Sequence, residues 1–456
     1  MPSNVTSATA TLTGPSGPVP TCVLTKSNTS GVASSILGGD NAVIVVPAAP
    51  LGTGTYTVSV NSNGGAANWS FNVDPNAPLV VDIPDPVDTK VGTVAGFESI
   101  TPFRFADSRV GRELNRLQPN RQVKIKIAGR QGLPSDITAV SANFTVVRPD
   151  GAGYFTAYNC AGGKPSVSTL NYTQWETIPN QAIIPLTDGY ICIYSMRTTD
   201  VIIDINGYVS GSATQAFVPL NPKRLFDSRA SKPLRKGETL RLVVEGGKSP
   251  APSNALAVSL NITGVLPEKS GWIRAFPCDA KEPSVSSLNP RLWQSRANSA
   301  IVPTAADGSI CLTSNVTTDV VVDITGWFGP VDSLEFVPLD SIRLSDTRST
   351  HPDLNPRKDG RPLQAGKVLK IQVAGTRGVP ESAKAATLNV VSVHAQNRGW
   401  LRIVPCGSSS EVSNLNYLGI SAIANGANVK LDANGAVCVT ANRTTHVVVD
   451  VTGVWT

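Results

Sequence analysis

Apolar and polar positions alternate in short runs along most of this 456-residue chain. The run "VKIKIAG" at 123–129 switches between charged and apolar at nearly every step, as a half-exposed strand does. "AVSANFTVV", "GYFTAYNC", "AIIPL", "YICIYS" and "DVIIDINGYV" follow, each bounded by turn signals such as "PDGAG" and "TDG". No stretch shows a convincing 3.6-residue amphipathic period. The pattern predicts an all-β protein built of many short strands, with antiparallel sandwiches preferred over barrels.

The pattern also repeats. "FRFADSR" (103–109), "RLFDSR" (224–229) and "RLSDTR" (343–348) each open a series. "IAGRQGLP", "VEGGKSP" and "VAGTRGVP" come next, then "ANFT", "LNIT" and "LNVV". "GYFTAYNC", "GWIRAFPC" and "GWLRIVPC" follow, then "PSVSTLNY", "PSVSSLNP" and "EVSNLNY", then "DGYIC", "DGSIC" and "NGAVC". Each series closes on "VIIDINGY", "VVVDITGW" or "VVVDVTGV". The expectation is three tandem homologous β-sandwich modules at 97–212, 213–332 and 333–456, each of eight to ten strands. A unit of about 120 residues buries its own core, unlike a solenoid repeat. The connectors "VSGSATQAF" and "FGPVDSLEF" are short, so neighbours should touch in a fixed relation, as an extended tandem row.

Residues 1–75 carry a different pattern. "PLGTGTYTVSVNSNGG" resembles the last hairpins of immunoglobulin-like or fibronectin-like domains, so a small Ig-like β domain is expected there. The Pro- and Asp-rich segment 76–96 reads as an extended linker.

Charge narrows the partners. The net charge is +6, but the first 90 residues carry two lysines against five aspartates. No basic run of five occurs and the arginines are scattered, so no nucleic-acid partner is read. No apolar stretch reaches 18 residues, so no membrane insertion is expected. The opening "MPSNVTSATA" lacks a basic n-region and an apolar h-region, so no Sec-type signal peptide is read.

Six cysteines fall at matching places in the repeats: Cys160 and Cys192, Cys278 and Cys311, Cys406 and Cys438. One disulfide per module is the simplest reading. Metal binding lacks CxxC spacing and has only three histidines to draw on, so no metal or other cofactor is expected. Cys22 is left over and is read as a buried free thiol.

The opening motif places Arg104, Asp107 and Arg109, then Arg224, Asp227 and Arg229, then Arg343, Asp346 and Arg348. Two readings stand. Each set is a carboxylate- or glycan-binding site, or each is a buried Asp clamped by Arg forks that holds the opening strand in register. The structural reading is preferred, because paired buried charges are more often architectural. Asp204, Asp323 and Asp450 close each unit and are read as turn caps. No His or Glu recurs beside them and no nucleophilic triad repeats, so no catalytic residues are assigned. Trp175 and Trp293 occupy matching positions in polar stretches, where an aromatic either contacts a ligand or partner or covers the edge of the core; Ile420 stands there in the third unit. Trp272, Trp400 and Tyr154 are read as core.

The ordered motifs R-L-x-D-[ST]-R, V-A-G-x-x-G-V-P, G-W-L, P-C, S-x-L-N-Y, D-G-x-[IV]-C and V-V-V-D-V-x-G-[YW] resemble a module of secreted and surface proteins of actinobacteria and of virion proteins of their phages. The resemblance covers about 360 of the 456 residues. The second unit departs from it at "VEGGKSP", and the third at His446, where the others have Asp. It implies a non-enzymatic structural or adhesion protein on the surface of an actinobacteriophage particle, on tail or head. Its partners would be other virion proteins and host cell-surface glycan, within a homo-oligomeric or otherwise symmetric assembly. The alternative is a secreted bacterial cell-wall or carbohydrate-binding protein. Non-reducing peptide mass spectrometry should recover linked pairs 160/192, 278/311 and 406/438; scrambled pairs or free thiols at these positions contradict the module reading.

Overall fold

The computed structural model describes residues 6–29, 43–63, 65–73, 94–355, 357–410, 412–419 and 421–456. The protein is all-β, and its helical turns are single 3-10 turns. The chain divides into two compact units, Met1–Asp85 and Pro86–Thr456. Most of the expected linker, 76–93, lies outside the described residues.

In the first unit, Gly17–Val19, Ala8–Gly14, Gly54–Ser62 and Gly65–Val73 form an antiparallel sheet in that order, and Thr21–Leu24 pairs with Ile44–Pro47. Alternate residues of Gly54–Ser62 turn inward, so Tyr56, Val58 and Val60 meet Leu12 in a small core. Cys22 is exposed, contrary to the buried reading. It lies in the two-stranded ladder opposite Val46, which is also exposed, so no layer of the described residues covers its side of that ladder.

The second unit holds three sandwiches, each with a core of its own. In the first, one sheet runs Thr177–Pro185, Ile137–Val147, Asp200–Ser210, Gly96–Asp107. The facing sheet runs Leu170–Tyr172, Gly153–Asn159, Tyr190–Ser195, Arg121–Lys126. The third module repeats this arrangement strand for strand. The second has seven strands rather than the expected eight or more. Pro290 there replaces Tyr172, and a proline cannot donate to the ladder, so only an isolated bridge at Leu288 survives.

Strand Ile137–Val147 shows how the modules associate. Val140, Ala142, Phe144 and Val146 point into the module core. Ser141, Asn143 and Thr145 point the other way, and they are buried too. Alternation of this kind ordinarily marks a sheet with one wet face. Here the polar face is covered by the neighbouring modules. The three sandwiches therefore form a closed ring with approximate three-fold symmetry, and the extended row expected from the short connectors is not what forms.

The closure is made twice over. Near the start of each module, short bridges join Phe97 to Gln215, Phe217 to Leu334, and Phe336 to Ala95, so first meets second, second meets third, and third meets first. Phe97, Phe217 and Phe336 are all fully buried there with Val209, Phe328 and Trp455 from the closing strands. The Phe217 and Trp455 rings lie 4.7 Å apart, as do those of Phe336 and Trp455. Each phenylalanine ring packs closely against the glycine of a closing motif. A Cβ at Gly207, Gly326 or Gly453 would run into the Phe97, Phe217 or Phe336 ring. That close approach accounts for the glycine in D-x-x-G.

The second closure is polar. Asn298 Nδ2 donates to Asn143 Oδ1, Asn425 Nδ2 to Asn261 Oδ1, and Asn180 Nδ2 to Asn389 Oδ1, each at 2.9 Å. The accepting asparagines pass the pattern on, donating to the carbonyls of Ser286, Ser413 and Ser168. These serines belong to the recurring S-x-L-N motif. Backbone amides of Gln181, Ser299 and Gly426 donate to Oδ1 of Asn298, Asn425 and Asn180. Every bond crosses a module boundary, and all three boundaries repeat the set. Asn298→Ala strands the Gln181 N–H, the Asn143 Oδ1 and the Ser287 carbonyl. At 1–3 kcal/mol for each buried orphan, we expect a loss of about 3 kcal/mol or more in denaturant unfolding, with similar losses for Asn180→Ala and Asn425→Ala. A loss below about 1 kcal/mol contradicts the interlock.

Candidate functional site

Each opening motif forms the same salt-bridge chain. Arg104 lies near the end of strand Gly96–Asp107, opposite Asp204 in strand Asp200–Ser210. Its Nε and Nη2 engage both oxygens of Asp204, and its Nη1 reaches Asp107 Oδ2 at 2.9 Å. Asp107 grips Arg109 through Nε at 2.8 Å and Nη2 at 2.6 Å, and accepts the Arg109 backbone N–H at 3.1 Å, capping the 3-10 turn Ser108–Val110. The second module repeats this with Arg224, Asp323, Asp227 and Arg229, at 2.6 Å for Arg224 Nε to Asp323. The third uses Arg343, Asp450, Asp346 and Arg348, at 2.8 Å for Arg343 Nε to Asp450.

Asp204, Asp323 and Asp450 are therefore not turn caps. They lie inside strands, buried, where their carboxylates meet the arginine of the adjacent strand. Burial pushes Asp204 and Asp450 up to about 6, against the pull of Arg104 and Arg343, and raises Asp323 as well. The outer carboxylates move the other way. The Arg229 guanidinium holds Asp227 down to about 2, and Arg109 lowers Asp107. Burial opposes the shift at Asp346, yet the bonds from Arg348 leave it lowered.

Cys160 is joined to Cys192, Cys278 to Cys311 and Cys406 to Cys438, closing separations of 32, 33 and 32 residues. Each bond joins a strand of the outer sheet to the residue that follows the neighbouring strand.

Trp175 and Trp293 stand on the surface, 66% and 58% exposed, and do not cover a core edge. Both hold the left-handed backbone, at φ 60° and 55°, and their amides bond Pro149 and Pro267 carbonyls. Gly419 supplies the left-handed residue of the third module, and Ile420 lies outside the described residues. Trp272, Trp400 and Tyr154 are only half-buried, a correction to the core reading. The next residue in each case, Ile273, Leu401 or Phe155, is the one that points inward, a shift of one position in a period of two.

A cleft of about 750 Å³ opens between the first and second modules, lined by five arginines and one carboxylate. Arg104 and Arg109 of the clamp form part of its wall, with Arg116 and Arg148 beside them and Trp272 and Arg274 opposite. Arg116 pairs with Asp200. The Arg274 guanidinium lies 3.7 Å over the Trp272 ring and bonds Glu282 at 2.6 Å. The other boundaries lack two of these arginines. The bridges at Leu117, Leu234 and Leu363 align Arg116 with Pro233 and Pro362. The left-handed Arg148 aligns with Leu266 and His394. Sequence reasoning missed the cleft because its two sides come from different modules, far apart in the chain.

No family model matches the chain, and no curated protein matches it. Among solved structures, a chain in the atomic structure of Sulfolobus Turreted Icosahedral Virus aligns over 80% of this chain and 98% of its own, at 10% identity and a TM-score of 0.18. A chain from work on the triple jelly roll fold and turret assembly in an archaeal virus aligns over 78% and 90%, at 10% identity and a TM-score of 0.17. Likeness at that level carries no argument about this chain.

The clamps give stability an unusual pH profile. Asp107, Asp227 and Asp346 titrate lower folded than unfolded, so the unfolded chain binds more protons below about pH 4, and stability rises with pH there. Asp204 and Asp450 titrate higher folded, so the native state holds more protons between about pH 4 and 6, and stability falls as pH rises through that window. Thermal melts should peak near pH 4 to 5. Asp450→Asn should flatten the falling limb and spare the rising one; an unchanged profile contradicts the assignment.

Proposed function

We propose that the chain is a non-enzymatic structural or adhesion protein of an actinobacteriophage particle, held on its head or tail surface. The observation that carries this reading is the closed ring of three homologous sandwiches. The repeated motifs all serve the architecture. Arginine–aspartate clamps act within modules, disulfides brace the outer sheets, and asparagine pairs and phenylalanines join module to module. Within the clamps, both oxygens of Asp204 are engaged by Arg104, and the same pairing recurs at Asp323 and Asp450. Such a body is suited to presenting fixed surfaces, and the opening β unit would dock it to other virion proteins. A three-fold body also suits a symmetric assembly.

The second reading is a secreted bacterial cell-wall or carbohydrate-binding protein. The basic cleft and the two surface tryptophans favour it, because both are groups that contact glycans. Gradient-purified phage particles analysed by mass spectrometry separate the two. The virion reading expects this chain in fixed ratio to the major capsid protein, and particles lacking it to lose stability or adsorption. Its absence from particles and presence in the medium of uninfected cells would sink the virion reading.

A further inference from the structure

We infer that the cleft between the first and second modules is a binding site for an anionic glycan, a sugar carrying phosphate or carboxylate, and that the chain takes one such ligand. The inference holds wherever the protein resides.

Three observations converge on it. The first is charge. Five guanidiniums line the cleft, and the carboxylates near them are already engaged by Arg104, Arg109, Arg116 and Arg274. Arg148 makes no side-chain hydrogen bond or ion pair among the described residues, and it is exposed. A planar fork of this kind suits a phosphate or carboxylate oxygen pair.

The second observation is unmet hydrogen-bonding capacity. Thr145 lines the cleft, and its buried hydroxyl, in a residue 2% exposed, has no hydrogen-bond partner among the described residues. Arg274 lines the same cleft, and its buried Nε is likewise unpartnered among the described residues. Leaving a buried polar group unsatisfied costs about 1–3 kcal/mol, so orphans on both walls of one cleft point to a ligand that satisfies them.

The third is the rest of the wall. The Trp272 indole and the side chains of Ser284, Ser286 and Asn289 offer an apolar face with hydroxyl and amide partners, the mixture a sugar ring requires. The volume lies within the usual range for small-molecule sites. Nucleic acid is disfavoured because the chain has no basic run of five and its other arginines are scattered. The equivalent boundaries offer Pro233 and Leu266, or Pro362 and His394, where this one offers Arg116 and Arg148, which sets the stoichiometry at one.

Isothermal titration of the full chain tests this with four probes: N-acetylglucosamine 1-phosphate, glucuronic acid, uncharged N-acetylglucosamine and inorganic phosphate. The expected result is saturable one-to-one binding of at least one charged sugar. The two charged sugars distinguish phosphate from carboxylate recognition. The uncharged sugar should not bind, and inorganic phosphate should bind about tenfold more weakly or less. Arg148→Asn keeps a residue that tolerates the left-handed backbone and should weaken binding by about tenfold or more. Thr145→Val should weaken binding too, without lowering the melting temperature of the free protein, since its hydroxyl makes no bond there. Arg402→Ala, beside Trp400 in the third module, should leave binding unchanged. Absence of saturable binding by both charged sugars overturns the proposal. So does inorganic phosphate binding as tightly as the sugars, or affinity that neither Arg148→Asn nor Thr145→Val alters.

Discussion

A buried primary amide must find partners for both its oxygen and its nitrogen, and that requirement organises this molecule. Asn180, Asn298 and Asn425 are each 1% exposed, and each meets the requirement only by reaching into another module. Apolar contact at the axis supplies attraction but is not directional. The amide pairs are directional and fix the angle of each sandwich to its neighbours. Three identical angles close a ring. The Ser/Asn/Thr faces of the inner sheets would be satisfied by water in a solitary sandwich, and here they form the seam.

The clamps set up that seam from inside. Arg104 ties the first strand of its module to the last, and the same strand carries Phe97 to the axis. The Asp204 strand carries Val209 to the same place. A charge pair within one sandwich thereby positions apolar side chains shared by three. The clamp reaches outward as well, since Arg104 and Arg109 face the basic cleft. One motif thus serves an architectural role in all three copies and, in the first copy, borders a cleft with ligand-binding character.

Much of the fold was legible in the chain. Strict alternation in "VKIKIAG" marked a half-exposed strand, and the stepwise return of motifs marked three sandwiches. What alternation cannot tell is whether a polar face meets water or another protein surface. Ser141, Asn143 and Thr145 look like a solvated stripe and are buried. The same ambiguity misplaced Trp272 and Trp400, since a tryptophan in a strand reads as core until the register is known. The arginine–aspartate motif was legible as a candidate clamp, yet Asp204 read as a turn cap, because its partner lies 100 residues away. The cleft was illegible for the same reason. The missing strand of the second module had a visible cause in Pro290, which stands where the first copy has Tyr172.

The connectors between modules carry a further consequence. Three separate polypeptides forming such a ring would fall apart on dilution, because their association depends on concentration. Here each copy is leashed to the next by a few residues, so encounter is intramolecular and the effective concentration stays high however few molecules are present. The leash also frees the copies from being identical. A homotrimer must carry the same residues on all three faces, whereas this polypeptide has Arg116 and Arg148 in one copy and proline, leucine and histidine at the matching positions of the others.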